Sequence, residues 1–444
     1  MRKVEYKMKR AENMEDMLKV FKPFPLGEKN YDEFYVDTSE ARGDNAAFKI
    51  IYRLKAANSV PIKLLFMGHS GSGKSTELFK VEKELSDAYQ VVRFSIRDEV
   101  DIMDLTYADM IFTIMHNVIE TLHNEKIRIS DDKFDKIFSY WNDERVCEIL
   151  DVSQVSIEAE LEAKASFVNT ITARIKGLFQ IGSESKNIIR KKIEPNLRQL
   201  IQYTNEIIEE ADKKLEKKGK RLLLIIEDLD KLDIGAAEEL FIKHRKVITS
   251  LQIHTIYTFP IFLFYSTQFN AIKDDFDAYV LLSMIKTKGR DGRKYEKGVE
   301  TIRQIIGKRA NLNLIADNAL ELAIMKSGGA LRDIFEMLEN AVLEAKTENI
   351  NAQRIEMVHI EKAYNNLKSS YERVLSKGHL ALLKEIYKDP SKKPIEDEEK
   401  LMELLKSMAV IEYNGERWCG LHPAIEDFLR EKGELNAGIT GYDQ

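Results

Sequence analysis

Lys63-Leu64-Leu65-Phe66-Met67-Gly68-His69-Ser70-Gly71-Ser72-Gly73-Lys74-Ser75-Thr76 decides how the rest of this chain is read. The first five residues are a short apolar run bounded by turn residues, which predicts a buried strand. Gly68 to Ser75 then satisfies the pattern G-x-x-x-x-G-K-[ST] in full. Glycines in such a loop let backbone N–H groups approach phosphate oxygens that a Cβ would obstruct. Lys74 can reach β- and γ-phosphates, and the Ser75 hydroxyl can ligate Mg²⁺. Leu78, Val81 and Leu85 follow at helical spacing, so the phosphates would also sit on a helix N-terminus.

The chain has 444 residues, enough for two or three domains. Its charges are interspersed and sum to only −6, which argues against the whole molecule being an electrostatic nucleic-acid binder. Two cysteines far apart, Cys147 and Cys419, suggest a reducing compartment and exclude a cysteine-based zinc site. The N-terminus lacks the apolar core of a signal peptide, and the longest apolar stretch, near Ile256–Tyr265, is too short to span a bilayer. A cytoplasmic protein without membrane contact is expected.

Upstream of the loop, Phe34–Asp37 reads as a short strand and Asn45–Ala56 as a helix. Tyr35, Val36 and Arg42 are candidates to cover a base, with plain packing as the alternative. Downstream, Tyr89–Ile96 reads as a strand and Asp101–His123 as a helix. From about 124 to 219 the chain turns helical and nearly proline-free, an insertion between two strands. Ala173–Arg221 carries thirteen Lys or Arg against seven Asp or Glu, either a solvated face or a basic surface for an acidic partner.

Arg221–Ile226 is the strongest strand signal, a continuous apolar run expected of a central parallel strand. It ends in Glu227-Asp228-Leu229-Asp230, where carboxylates can hold Mg²⁺ and orient the attacking water. Ile253–Phe259 is a further strand whose end carries Thr258, a candidate sensor of the γ-phosphate, with Ser266 as alternative. Ile261–Ser266 either continues that strand or starts a neighbour. Ser327-Gly328-Gly329-Ala330-Leu331-Arg332-Asp333 enters another helix. The last segment reads as helix (His379–Tyr387), helix (Glu398–Met408), hairpin around Asn414-Gly415, and a closing helix (Pro423–Arg430).

Together these landmarks resemble the AAA+ superclass of P-loop ATPases, and within it the origin-recognition-like and STAND-like branch that carries a C-terminal winged helix. The resemblance covers about residues 34–433. It implies an α/β P-loop NTPase core, a parallel sheet with helices on both faces, followed by a helical lid and a winged-helix domain. The expected divisions are an N-terminal extension (1–33), the core (34–275), the lid (276–370) and the winged helix (371–444). Gly68–Thr76 would be Walker A and Leu222–Asp228 Walker B; Thr258 would fall near sensor 1, and Arg332 would be the sensor 2 arginine reaching the γ-phosphate. The acids depart from the usual order: Glu227 would hold the metal and Asp228 handle the water, unless a one-residue slip gives Asp228 the metal and brings in Asp230. Arg245, Arg290 and Arg293 are candidates for an arginine finger.

The winged-helix segment Tyr371–Glu434 has eleven Lys or Arg against fourteen Asp or Glu, so phosphates would be repelled. It therefore reads as a protein-contact or autoinhibitory module. The expectation is an Mg-dependent, slow or partner-stimulated ATPase switch that binds ATP, working through a homo-oligomer or a protein partner. A DNA-associated ATPase of the origin-recognition or transposition-helper kind is the alternative.

Overall fold

The computed structural model describes residues 6–57, 60–141, 183–389, 398–413 and 418–435, with isolated positions between 142 and 182. Most of the stretch 142–182 within the helical insertion expected over 124–219, Cys147 and the Asn414-Gly415 turn lie outside them.

Five strands form one parallel sheet: β1 (Lys63–Met67), β2 (Tyr89–Ser95), β3 (Arg221–Glu227), β4 (His254–Phe259) and β5 (Ala278–Leu281), in the order β2-β3-β4-β1-β5. β1 and β4 are buried along their whole length, as continuous apolar runs demand when helices cover both faces. Alternation along the strands divides the core. Leu64, Phe66, Leu223 and Ile225 face helices α1 (Ala46–Ala56) and α2 (Lys74–Leu85). Leu65, Met67, Leu222, Leu224 and Ile226 face the opposite way, toward α3 (Tyr107–Asn124) and α4 (Leu197–Glu216). Pro195 falls in a 3₁₀ turn just before α4.

Two expected strands differ. Phe34–Asp37 is not a strand: Tyr31–Phe34 is a single helical turn whose Tyr31 and Phe34 side chains are buried in a small separate cluster. Ile261–Phe264 is also helical, because Pro260 ends β4 and cannot donate to a ladder. β5 was not foreseen; it is short, and Tyr279 at its centre is 47 % exposed at the sheet edge.

After β5 come helices α5 (Glu296–Arg309), α6 (Asp317–Lys326), α7 (Leu331–Glu348) and α8 (Met357–Arg373), with α7 and α8 packed together. Helices His379–Lys388 and Glu398–Lys406 precede an antiparallel hairpin, β6 (Val410–Tyr413) and β7 (Trp418–Leu421), and Pro423–Glu431 closes the segment. The N-terminal segment ties to α5: Ala11 N–H donates to the Arg309 carbonyl (2.8 Å), and Arg309 Nη1 donates to the Val20 carbonyl (2.8 Å). Among the described residues no helix is long and apolar enough to cross a membrane.

Candidate nucleotide site

The C-terminal ends of the parallel strands place the Gly68–Thr76 loop at the crevice where open α/β sheets bind ligands. Gly71 adopts φ +75°, and a Cβ there would lie 2.9 Å from Arg332 Cβ, so only glycine allows the loop to pass so close to the start of α7. That approach brings the Arg332 backbone and Cβ close to the loop. The Arg332 side chain makes no hydrogen bond or ion pair with the described residues. Its neighbour Asp333 is buried, accepts from Tyr371 Oη (2.8 Å) and meets His422 Nε2 at 3.0 Å.

Lys74 Nζ donates to the carbonyls of Gly68 (2.7 Å) and His69 (2.9 Å), and lies 2.9 Å from Asp230 Oδ2, with both side chains under 10 % exposed. Asp230, the last acid of the run after β3, is therefore the carboxylate that touches the loop lysine.

Glu227 has another partner. Arg93 of β2 donates to it through Nε (2.6 Å), to Glu82 through Nη1 (2.8 Å) and to the Ser75 carbonyl through Nη2 (2.9 Å). Burial pulls the Arg93 guanidinium down, and the fields of Glu227 and Glu82 outweigh it, so it stays firmly charged. Asp228 takes a left-handed backbone, φ 68°, accepts from Ser95 Oγ (2.6 Å) and pairs with Lys231. Burial raises its carboxyl, but Lys231 and Ser95 overcome this and hold it below the usual carboxylate range.

Thr258 is buried. Its Oγ1 accepts the Leu229 N–H (3.0 Å) and donates to the Ile226 carbonyl (3.1 Å), stitching the end of β3 to β4 and fixing the acidic turn. Ser266 Oγ accepts the Gln268 N–H at 3.1 Å. Thr76 Oγ1 accepts the Leu26 N–H (3.1 Å), joining the N-terminal segment to the loop helix. Tyr35 stacks on Tyr31 and donates to Glu77 (3.2 Å), so it packs over α2. Arg245 is engaged by Asp275, whereas the side chain of Arg293 is 88 % exposed.

His69 is 1 % exposed, and its Nε2 accepts the Glu412 N–H of β6 at 2.8 Å. Burial, with Lys74 close by, lowers its pKa to about 3, so the ring is neutral and able to accept. Tyr413 Oη donates to the Gly328 carbonyl at 2.8 Å, so the same hairpin also holds the turn before α7. Sequence reasoning missed Arg93 and the hairpin contact; both depend on chain-distant neighbours that no local pattern announces.

The residues suit a magnesium nucleotide. Mg²⁺ keeps water and phosphate ligands and needs only one or two protein carboxylates, and Ser75, Asp228 and Asp230 supply such a set. Among the described residues no group of three or more His, Cys, Asp or Glu could hold a metal ion by itself.

No curated protein matches the sequence significantly. Among solved structures, the chain is similar to the Walker-type ATPase PABY2304 of Pyrococcus abyssi (15 % identity, 93 % of this chain and 99 % of that one, TM-score 0.45). It is also similar to Cdc6p from Pyrobaculum aerophilum (9 %, 93 % and 98 %, TM-score 0.40) and to the Aeropyrum pernix ORC1 protein, solved in complex with DNA (12 %, 97 % and 98 %, TM-score 0.40). Likeness at this level assigns no residue roles. Residues 44–257 match the family described as the KAP family P-loop domain, a span that runs from α1 through the loop and the acidic turn into β4. This part of the chain is similar to a KAP family P-loop domain.

Proposed function

We propose that the chain is an Mg-dependent, ATP-binding and ATP-hydrolysing switch in which a C-terminal winged helix is latched onto the phosphate loop. The core would span 34–275, a helical lid 276–370 and the winged helix 371–444. The observation that carries this reading is the pair of contacts on one loop: Lys74 held by Asp230, and His69 held by the Glu412 N–H.

Each contact has a consequence for chemistry. Lys74 must leave Asp230 to grip β- and γ-phosphate oxygens, and its departure frees the Asp230 carboxylate. Glu227 is committed to Arg93, so Asp228 and Asp230, with Ser75, are the groups to hold the metal and orient water. Bound Mg²⁺ would neutralise charge on the phosphate oxygens. Asp228, held ionised by Lys231 and Ser95, is suited to accept a hydrogen bond from the attacking water. Arg332, beside Gly71, is placed to meet the γ-phosphate and report it to α7. The Asp333–His422 and Asp333–Tyr371 contacts carry any shift of α7 into the winged helix, whose release would expose a surface for a second copy or a protein partner. This would make turnover slow until a partner stabilises the released state, and it suits a cytoplasmic protein.

Phosphate release by the full-length protein, compared with Lys74→Ala, tests hydrolysis. Hydrogen exchange at 410–413 with and without ATP tests the latch. Protection that is unchanged by ATP while phosphate is released would remove the switch and leave a plain ATPase.

A further inference from the structure

Arg42 is 2 % exposed and sits behind the phosphate loop. Its Nε donates to Thr38 Oγ1 at 2.7 Å, its Nη2 to the Ser72 carbonyl at 2.6 Å, and its Nη1 to the Ser283 carbonyl. These acceptors belong to three separate segments: the turn before α1, the loop itself, and the linker that leaves β5 for the helices beyond it. Nη2 lies 3.7 Å from where a Cβ on Gly73 would sit, so the guanidinium is one backbone layer from the cradle.

A phosphate loop can turn its N–H groups inward only if its carbonyls face outward and are satisfied. The Ser72 carbonyl, flanked by Gly71 and Gly73, is satisfied by Arg42. The choice of an arginine for that task is costly. All three acceptors are neutral, and among the described residues no carboxylate forms an ion pair with Arg42. A buried cation without a paired anion is destabilising, and a neutral donor would serve the carbonyl at lower cost. Burial indeed draws the guanidinium down to about 10, with the carboxylates of Glu77 and Asp37 opposing that shift through their fields. Those fields leave the guanidinium lowered, and a nucleotide's phosphates would bring a further strong negative charge across the loop.

We propose that Arg42 is a positioning residue of the nucleotide site, whose buried charge is balanced by the bound phosphates and whose planar fork makes the loop and the Ser283 linker move as one unit. Lysine cannot replace it, because an ammonium is a point charge that cannot span the two carbonyls in a fixed plane. The inference rests on the nucleotide reading of the loop. A purely structural arginine would behave oppositely: its loss would weaken the empty protein and leave the affinity of the folded protein unchanged.

The test uses the full chain as wild type, Arg42→Gln, Arg42→Lys and Lys74→Ala. Thermal unfolding is recorded without nucleotide, and a fluorescent ADP analogue is titrated in EDTA. Arg42→Gln is expected to unfold no earlier than wild type without nucleotide, yet to bind ADP on the order of 10- to 50-fold more weakly, as for a unit charge near phosphates at an effective dielectric of about 20. Arg42→Lys keeps the charge and loses the fork, so a smaller loss of about fivefold is expected. Wild-type affinity in Arg42→Gln, or earlier unfolding with unchanged affinity, overturns the proposal. If Arg42→Gln does not fold, Arg42→Lys decides, and wild-type affinity there overturns it. If Lys74→Ala binds as well as wild type, the nucleotide reading of the loop is what has failed, and this proposal falls with it.

Discussion

Replacing Asp230 by Asn probes the contact on which the mechanism turns. The Lys74–Asp230 pair is 2.9 Å long, with side chains 8 % and 6 % exposed. Removing one partner of such a buried pair costs about 3–5 kcal/mol. Lys74 keeps the Gly68 and His69 carbonyls as acceptors, which places the cost at the lower end, about 3 kcal/mol. That energy is what phosphates must overcome to take Lys74 from wild-type protein. Asp230→Asn should therefore lose stability when empty and gain affinity for metal-free ATP. If half the pair energy is returned, the gain is about tenfold. Hydrolysis should fall by about 100-fold or more, because a carboxylate needed for the metal and water is gone. The assay is fluorescent ATP binding in EDTA beside single-turnover phosphate release in magnesium. Removing a negative charge near phosphates helps binding by itself, so the same change is made on a Lys74→Ala background. There the tenfold gain should shrink to the small field effect. Equal or weaker binding by Asp230→Asn, or an identical gain on both backgrounds, would refute the idea that the acid competes with phosphate for the lysine.

Other outcomes follow from the same geometry. Thr258→Val leaves the Leu229 N–H buried without its acceptor and should destabilise the chain by about 1–3 kcal/mol, while metal-free ADP affinity changes less than twofold; denaturant unfolding and a binding titration check both. His69 is held neutral, its pKa lowered from 6.5 to about 3. The unfolded chain thus binds the extra proton first, so this stability is complete above pH 6.5 and is lost as pH falls toward 3. By linkage the loss from pH 7 to pH 5 is about 2 kcal/mol, and it should vanish in His69→Gln when urea midpoints are compared at the two pH values. Gly328 has φ +60°, and a Cβ there would meet Pro423 Cδ at 2.8 Å and Ile411 Cδ1 at 3.2 Å. Gly328→Ala should push the hairpin away, seen as faster exchange at 410–413 and faster release of bound nucleotide. Arg93→Met strips Glu227 of its partner and should destabilise the chain by about 3 kcal/mol or more, as measured by thermal unfolding.

The parts of this molecule that were legible in the sequence are those whose information is local. β1 and β3 are nearly continuous apolar runs, β4 is rich in β-branched and aromatic residues, and the loop between β1 and α2 is a contiguous pattern tied to backbone geometry. Helix α1 was read within one residue because its buried face recurs at helical spacing. β5 escaped notice because an edge strand has one covered face, and Tyr279 breaks its apolar run. Phe34–Asp37 looked like a strand because it is aromatic and β-branched, but tertiary packing of Tyr31 and Phe34 outweighed that preference. The acids after β3 were recognised as a group, yet their division of labour was not legible. It depends on Arg93, which reaches Glu227 from the adjacent strand, and on the left-handed backbone at Asp228 that turns the chain so that Asp230 points at Lys74. Thr258 was singled out for the γ-phosphate, and its hydroxyl is instead bonded to the backbone on either side of that acidic turn.

The hydrogen bond between His69 and Glu412 also has a consequence in time. It joins residues 343 positions apart. Ribosomes add roughly 5–20 residues per second, so a nascent chain that has just completed β5 at Leu281 would wait roughly 7 to 26 s before Glu412 exists to reach the loop. For that interval β1 has its sheet neighbours β4 and β5, and nothing from β6 reaches His69. If the hairpin is the latch proposed above, nucleotide would enter during synthesis, before the Glu412–His69 contact forms. On that reading the ligand state of newly made protein would be set by the nucleotide pool at the moment of translation, and later exchange would wait for the hairpin to lift.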